Sequence, residues 1–146
     1  MNYPILIISL SIIGVLFLFS SCKTYYIPIE SFKEQFMGID SEALVRVRTR
    51  GPAGDVSEYL ANPIIDIYCV DKKGNHTVLK NGPSIEIRFT KENNKRTIFY
   101  FDRVFLEDSI IYGDGSRFIN FKNGIPIDDI KLIEVQDGRK RFKYVD

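Results

Sequence analysis

Few side chains in this sequence of 146 residues are of the kinds that make or break bonds: two cysteines, Cys22 and Cys69, one histidine, His76, and no tryptophan. A thiol or hydroxyl beside an imidazole is the simplest nucleophile pair, because the imidazole accepts the proton the nucleophile loses. His76 with Cys69 or with Ser116 is the pairing to weigh here. None of these residues lies in a motif that activates a nucleophile. Cys69 alternates with Ile65 and Ile67, so it is expected to face the core as an inert thiol. His76 follows a turn and is expected on the surface. A metal would need convergent ligands. Asp114 and the pair Asp128-Asp129 are candidates, but no EF-hand spacing, second histidine or cysteine pair accompanies them. Asp114-Gly115 and Asp128-Asp129 are the compositions of turns. The expectation is no catalytic residue, no metal and no cofactor.

Two groups of basic residues are candidates for binding anions. Arg46, Arg48 and Arg50 alternate along Leu44–Arg50 and would project from one face of a strand, about 7 Å apart. Guanidinium groups grip planar anions bidentately, so this stripe could meet lipid phosphates or a carboxylate-bearing wall polymer. The alternative is a solvated face paired across the sheet with acids such as Glu86. Arg139, Lys140, Arg141 and Lys143 form a second cluster near the C-terminus, suited to an anionic membrane surface or to a solvated hairpin.

The elements that must carry these residues begin with an unusual leader. Residues 1–21 contain no Asp, Glu, Lys or Arg, and the run from Pro4 to Phe19 is apolar. That run is shorter than the ~20 residues of a membrane-spanning helix and has the length of a signal core. Ser20 and Ser21 supply the small residues a signal peptidase needs, and Cys22 follows as the first residue of the remaining chain. An uncleaved signal anchor with an incidental cysteine is the other reading of the same segment.

Beyond the leader lie about 125 residues, enough for one domain with a core of its own. Lys and Arg number 20 against 19 Asp and Glu, a balanced surface that does not point to nucleic acid. Residues 24–30 read as an extended tether, with Pro28 turning Ile27 away from helix. Ser31-Phe32-Lys33-Glu34 has the pattern of a capping box, which predicts a short helix over 31–37 with Phe32 and Phe36 on one face. Strands follow over 44–50, 64–70, 76–79, 84–90, 96–101, 104–106, 109–112, 117–121, 125–127, 131–135 and 140–145. Ile85, Ile87 and Phe89 alternate with Glu86, Arg88 and Thr90, so the first three belong in the core. Ile98-Phe99-Tyr100-Phe101 is apolar on both faces, which predicts a central strand covered twice. Asp137-Gly138 predicts a hairpin. Ile27-Pro28-Ile29-Glu30 and Ile125-Pro126-Ile127-Asp128 resemble each other, as chance or as two similar strand entries. Such short strands predict a mostly β fold, an antiparallel small barrel or sandwich with one short N-terminal helix after a signal segment.

The run ending in Ser20-Ser21-Cys22, together with the tract Ile125-Pro126-Ile127-Asp128-Asp129-Ile130-Lys131-Leu132-Ile133-Glu134-Val135, resembles the small uncharacterised lipoproteins of Bacteroidota. The resemblance implies cleavage before Cys22, a diacylglycerol on its sulfur and commonly an amide-linked acyl chain such as palmitate. Two or more chains make attachment stable. It implies residues 1–21 as signal peptide, 22–30 as a lipid-anchored tether and 31–146 as a single β-rich domain. Lys23-Thr24-Tyr25-Tyr26 contains no acid; in that class this favours an outer-membrane location facing the periplasm. The expected function is a non-catalytic binding or structural module of the envelope, meeting the membrane through its anchor and an envelope protein, anionic lipid or wall polymer through its surface. The competing expectations are a signal-anchored periplasmic domain and a hydrolase or metal-dependent enzyme whose site the sequence does not display.

Overall fold

The computed structural model describes residues 22–116 and 124–146; the leader and the strand expected over 117–121 lie outside the described residues. The chain runs through β1 (Thr24–Tyr26), α1 (Ile29–Gln35), β2 (Val45–Arg50), β3 (Val56–Ala61), β4 (Asp66–Val70) and β5 (His76–Lys80). It continues with β6 (Ile85–Lys91), β7 (Arg96–Tyr100), β8 (Phe105–Glu107), β9 (Ile110–Tyr112), β10 (Ile125–Pro126), β11 (Ile130–Asp137) and β12 (Lys143–Val145). Pairing is antiparallel throughout. The main sheet has the order β5-β4-β1-β11-β6-β7, and two smaller sheets have the orders β10-β9-β8 and β12-β2-β3. The architecture is mostly β and sandwich-like, with no closed barrel among the described residues.

The core follows from alternation. Ile85, Ile87 and Phe89 of β6 are buried, while Glu86 and Arg88 between them are half-exposed. In β11, Ile133 lies opposite Phe89 and Val135 opposite Ile87, and both are buried. Helix α1 lays Phe32 and Phe36 into this face. Their rings stack at 4.4 Å, and Phe32 meets Phe89 edge-on at 5.5 Å. Full burial of each such ring contributes about 2–3 kcal/mol. The Gln35 amide joins the helix to the sheet by both ends. Its Nε2 donates to the Tyr68 carbonyl and its Oε1 accepts from the Tyr68 N–H, each at 2.9 Å.

Several expectations are corrected. Residues 24–30 are no tether. β1 lies inside the main sheet, pairing Tyr25 with Val135 and Tyr26 with Val70. The helix spans 29–35 rather than 31–37, because Pro28, at φ −56°, is its N-cap and no side chain caps it. Ser31 is therefore inside the helix, where its Oγ accepts from Gln35 Nε2. The apolar run at 98–101 is not central. Among the described residues β7 is an edge strand, Ile98 is exposed, and Phe101 is buried because the chain turns there into a 3-10 helix over Phe101–Arg103. Asp137-Gly138 does not form a hairpin: Gly138 N–H donates to Ser84 O, and β12 crosses to pair with β2. Both Ile-Pro-Ile segments lead into helical turns, the second by way of the two-residue strand β10. Pro28 caps α1 and Pro126 caps a 3-10 helix over Ile127–Asp129, each after an isoleucine buried to 3% exposure.

Candidate functional site

Cys22 is exposed and stands two positions before β1. Because β1 is clasped between β4 and β11, the sulfur sits at the end of the main sheet with almost no slack. Antiparallel pairing of Tyr26 with Val70 brings the β4–β5 turn to the same end. A cleft of about 490 Å³ results, lined by Cys22, Lys23, Tyr25, Lys72, Lys73 and His76 among others. The turn is well braced. Asp71 Oδ1 accepts the backbone N–H groups of Lys73 at 2.8 Å and Asn75 at 2.9 Å, and Asp71 Oδ2 accepts from Asn75 Nδ2 at 3.0 Å. The Asn75 side-chain and backbone bonds hold the Asp71 carboxyl below its ordinary pKa. Gly74, at φ +82°, takes the left-handed position this turn requires. The ammonium groups of Lys23 and Lys72 have no partner among the described residues, and that of Lys73 acts on the Asp71 carboxylate.

A second cleft of about 440 Å³ flanks the same cysteine, lined by Cys22, Lys23, Tyr25, Lys80, Asp137 and Arg139 together with Leu79 and Ile85. Lys80 there is paired with Asp66.

Compared with known protein families, with curated proteins and with solved structures, the chain matches none. The chemistry of the surfaces therefore has to be read from the residues themselves.

The arginine stripe is present as geometry, and its charge is largely answered. Arg46, Arg48 and Arg50 are all exposed on one face of β2. Glu58 of β3, opposite Arg48, lies 3.5 Å from both Arg46 Nη1 and Arg48 Nε. Arg48 Nη1 also donates to the Asp146 carbonyl oxygen at 2.6 Å. Glu86, the acid expected as the partner, is elsewhere: it lies 2.8 Å from Lys140 Nζ. Exposed pairs of this kind contribute about 0–1 kcal/mol each, so they moderate the stripe without locking it. Arg50, beside Lys143 of β12, keeps its charge unanswered among the described residues.

Of the C-terminal cluster, Lys140 is committed. Its ammonium lies over the Tyr100 ring at 4.6 Å and donates to Tyr100 Oη at 2.9 Å. Burial opposes its charge, but the bonds to Glu86 and Tyr100 outweigh that and raise its pKa.

Among the described residues Cys69 and His76 are not brought together. Cys69 is buried, and burial pushes its thiol up to about 11. His76 is exposed at the start of β5, next to Val70 rather than Cys69. It lines the cleft that holds Cys22, yet no hydrogen bond joins His76 to either cysteine among the described residues. Asp114 pairs with Arg103. Asp128 and Asp129 are exposed in the first turn of their 3-10 helix. No group of three His, Cys, Asp or Glu side chains converges among the described residues.

One polar cluster went unseen in the sequence. Asp102 is fully buried, and its Oδ2 accepts from Tyr59 Oη at 2.5 Å and Tyr144 Oη at 2.8 Å. Arg103 lies over the Tyr59 ring at 4.7 Å and pairs with Asp114. These residues come from β3, a 3-10 turn, β12 and the loop after β9, so the cluster ties the small sheets to the body. It acts as a joint, since the bonds Tyr59–Asp102, Tyr144–Asp102 and Arg103–Asp114 each join separate parts of the chain.

Proposed function

We propose that this chain is an envelope lipoprotein, attached to a membrane through acyl chains on Cys22, whose β domain acts as a non-catalytic binding or structural module. The observation that carries the reading is the uncharged apolar leader closing on Ser20-Ser21 immediately before Cys22. Two features of the domain support it. Cys22 is open to solvent while the other cysteine is buried. The chain enters its main sheet at Thr24, so acylation at Cys22 would hold the whole domain against the bilayer rather than on a leash. The proposed location is the outer membrane, facing the periplasm. The proposed partners are the membrane itself and an envelope protein, anionic lipid or wall polymer. Residues 1–21 act as signal peptide, and residues 22–146 as one domain.

A hydrolase is the competing reading, because Cys22, His76 and Asp71 line one cleft. The Asp71 carboxylate is spent on its own turn, and a nucleophile needs a base within hydrogen-bond reach. The module reading is therefore preferred. Intact-mass analysis of membrane-extracted protein, with and without Cys22→Ala, tests it. The expected product begins at Cys22 and carries the mass of diacylglycerol, and the variant carries neither change. A chain that still begins at Met1 with no added mass refutes the reading and leaves the uncleaved anchor.

A further inference from the structure

We propose that the cleft beside Cys22 is a binding site for the phosphate of an anionic phospholipid headgroup, which orients the domain on the bilayer; this rests on acylation of Cys22. The geometry brings together what such a site requires. Lys23 follows the acylated residue directly, and Lys72 and Lys73 reach the same cleft from the β4–β5 turn. Lys23 and Lys72 are in no ion pair among the described residues, and the charge of Lys73 meets only the Asp71 carboxylate, whose pKa it helps to lower. The one carboxylate lining the cleft, Asp71, accepts from the N–H groups of Lys73 and Asn75 and from the Asn75 side chain. The turn that presents the two lysines is thus preorganised. Asn75, His76, Thr77 and Tyr25 complete the lining with polar atoms, as a phosphate site needs.

Position decides the occupant. Acyl chains leaving the Cys22 sulfur enter the bilayer at the mouth of this cleft, so neighbouring headgroups are the ligand present at the highest local concentration. The short path from Cys22 to β1 keeps the cleft within reach of that surface. Each lysine near an anionic surface favours the docked state by roughly fivefold, and the preference is screened by salt. Arg139 lines the adjoining cleft on the other flank of Cys22 and extends the same basic rim.

The test is amine footprinting of the acylated, full-length protein reconstituted in vesicles. One set is phosphatidylcholine alone, the other phosphatidylcholine mixed with phosphatidylglycerol. Acetylation rates at each lysine are read by mass spectrometry, and the same preparation reports acylation at Cys22. Lys23, Lys72 and Lys73 are expected to react several-fold more slowly on the anionic vesicles. Lys95, in the turn between β6 and β7, is expected to react equally on both. High salt should abolish the difference, and K72E/K73E should remove the protection of Lys23. Equal rates on the two vesicle types, in protein whose acylation is confirmed, overturn the headgroup site and leave the anchor standing. Protein without acyl mass overturns the anchor, and the site with it. Slowing at every lysine alike also overturns it, as general adsorption.

Discussion

Tyr59→Phe removes one oxygen and leaves the ring, so it isolates what a hydrogen bond to the buried Asp102 contributes. Asp102 is fully buried, and its Oδ2 accepts from Tyr59 at 2.5 Å and Tyr144 at 2.8 Å. A hydrogen bond to a charged group contributes about 1.5–3 kcal/mol, and an acceptor stripped of it in the interior keeps its desolvation cost. Tyr59 is 9% exposed and Tyr144 is 43% exposed. Water can replace the second donor more readily than the first. Tyr59→Phe is therefore expected to cost about 2–3 kcal/mol and Tyr144→Phe about 1–2 kcal/mol. Because both donors serve one oxygen, the double variant should cost more than the sum of the two, by at least ~0.5 kcal/mol. Urea unfolding followed by circular dichroism, on the chain beginning at Cys22, measures all three. At roughly 4 °C per kcal/mol for a domain of this size, the Tyr59 variant should also melt about 10 °C lower. A Tyr59→Phe midpoint indistinguishable from the parent would refute the reasoning, and show that the carboxylate is satisfied without the phenol.

Phe32→Ala should cost about 3–5 kcal/mol, since Phe32 is fully buried between Phe36 and Phe89; the same urea titration reads it, and a loss below ~1 kcal/mol contradicts the packing. Cys69 should resist thiol reagents near neutral pH in the folded protein and react once urea unfolds it. Its folded pKa is raised from 9.0 to about 11, so its contribution is complete below the unfolded value and declines as pH climbs through about 11. The loss is at most about 3 kcal/mol, and Cys69→Val should flatten that part of the alkaline slope. Lys140, also raised, adds a loss of the same sign above the ordinary lysine range, which the Cys69 variant leaves in place.

The parts of the fold legible in the sequence were those where polarity sorts faces. Ile85, Ile87 and Phe89 alternate with polar neighbours and are core. Cys69 shares its face with Ile67, and both are buried. Strand β3 was missed because its faces are not sorted: Val56 and Leu60 are exposed, while Ser57 and Tyr59 lie on the inner side. β1 was missed because three residues carry no periodicity, and what makes them a strand is a partner far along the chain. Asp137-Gly138 has the chemistry of a hairpin, but pairing of β12 with β2 outweighs it. Cys22 stands out as a candidate from its local sequence context. The lysines beside it do not stand out, since their convergence depends on the β1–β4 pairing. The Asp102 cluster was invisible for the same reason, its donors lying 43 and 42 positions away.

The place of β1 in the main sheet also makes it a seam between distant parts of the chain. Hairpins β4–β5 and β6–β7 join strands close in sequence. β1 reaches β4 44 positions on, at the pair Tyr26–Val70, and β11 110 positions on, at the pair Tyr25–Val135. Closing so long a loop is entropically costly. The β1–β11 ladder is where the two halves of the sheet, β5-β4-β1 and β11-β6-β7, meet. The strand that follows Cys22 thus carries the pairing of greatest sequence separation in that sheet, and the residue proposed as the anchor stands beside the seam that binds the beginning of the described chain to its end.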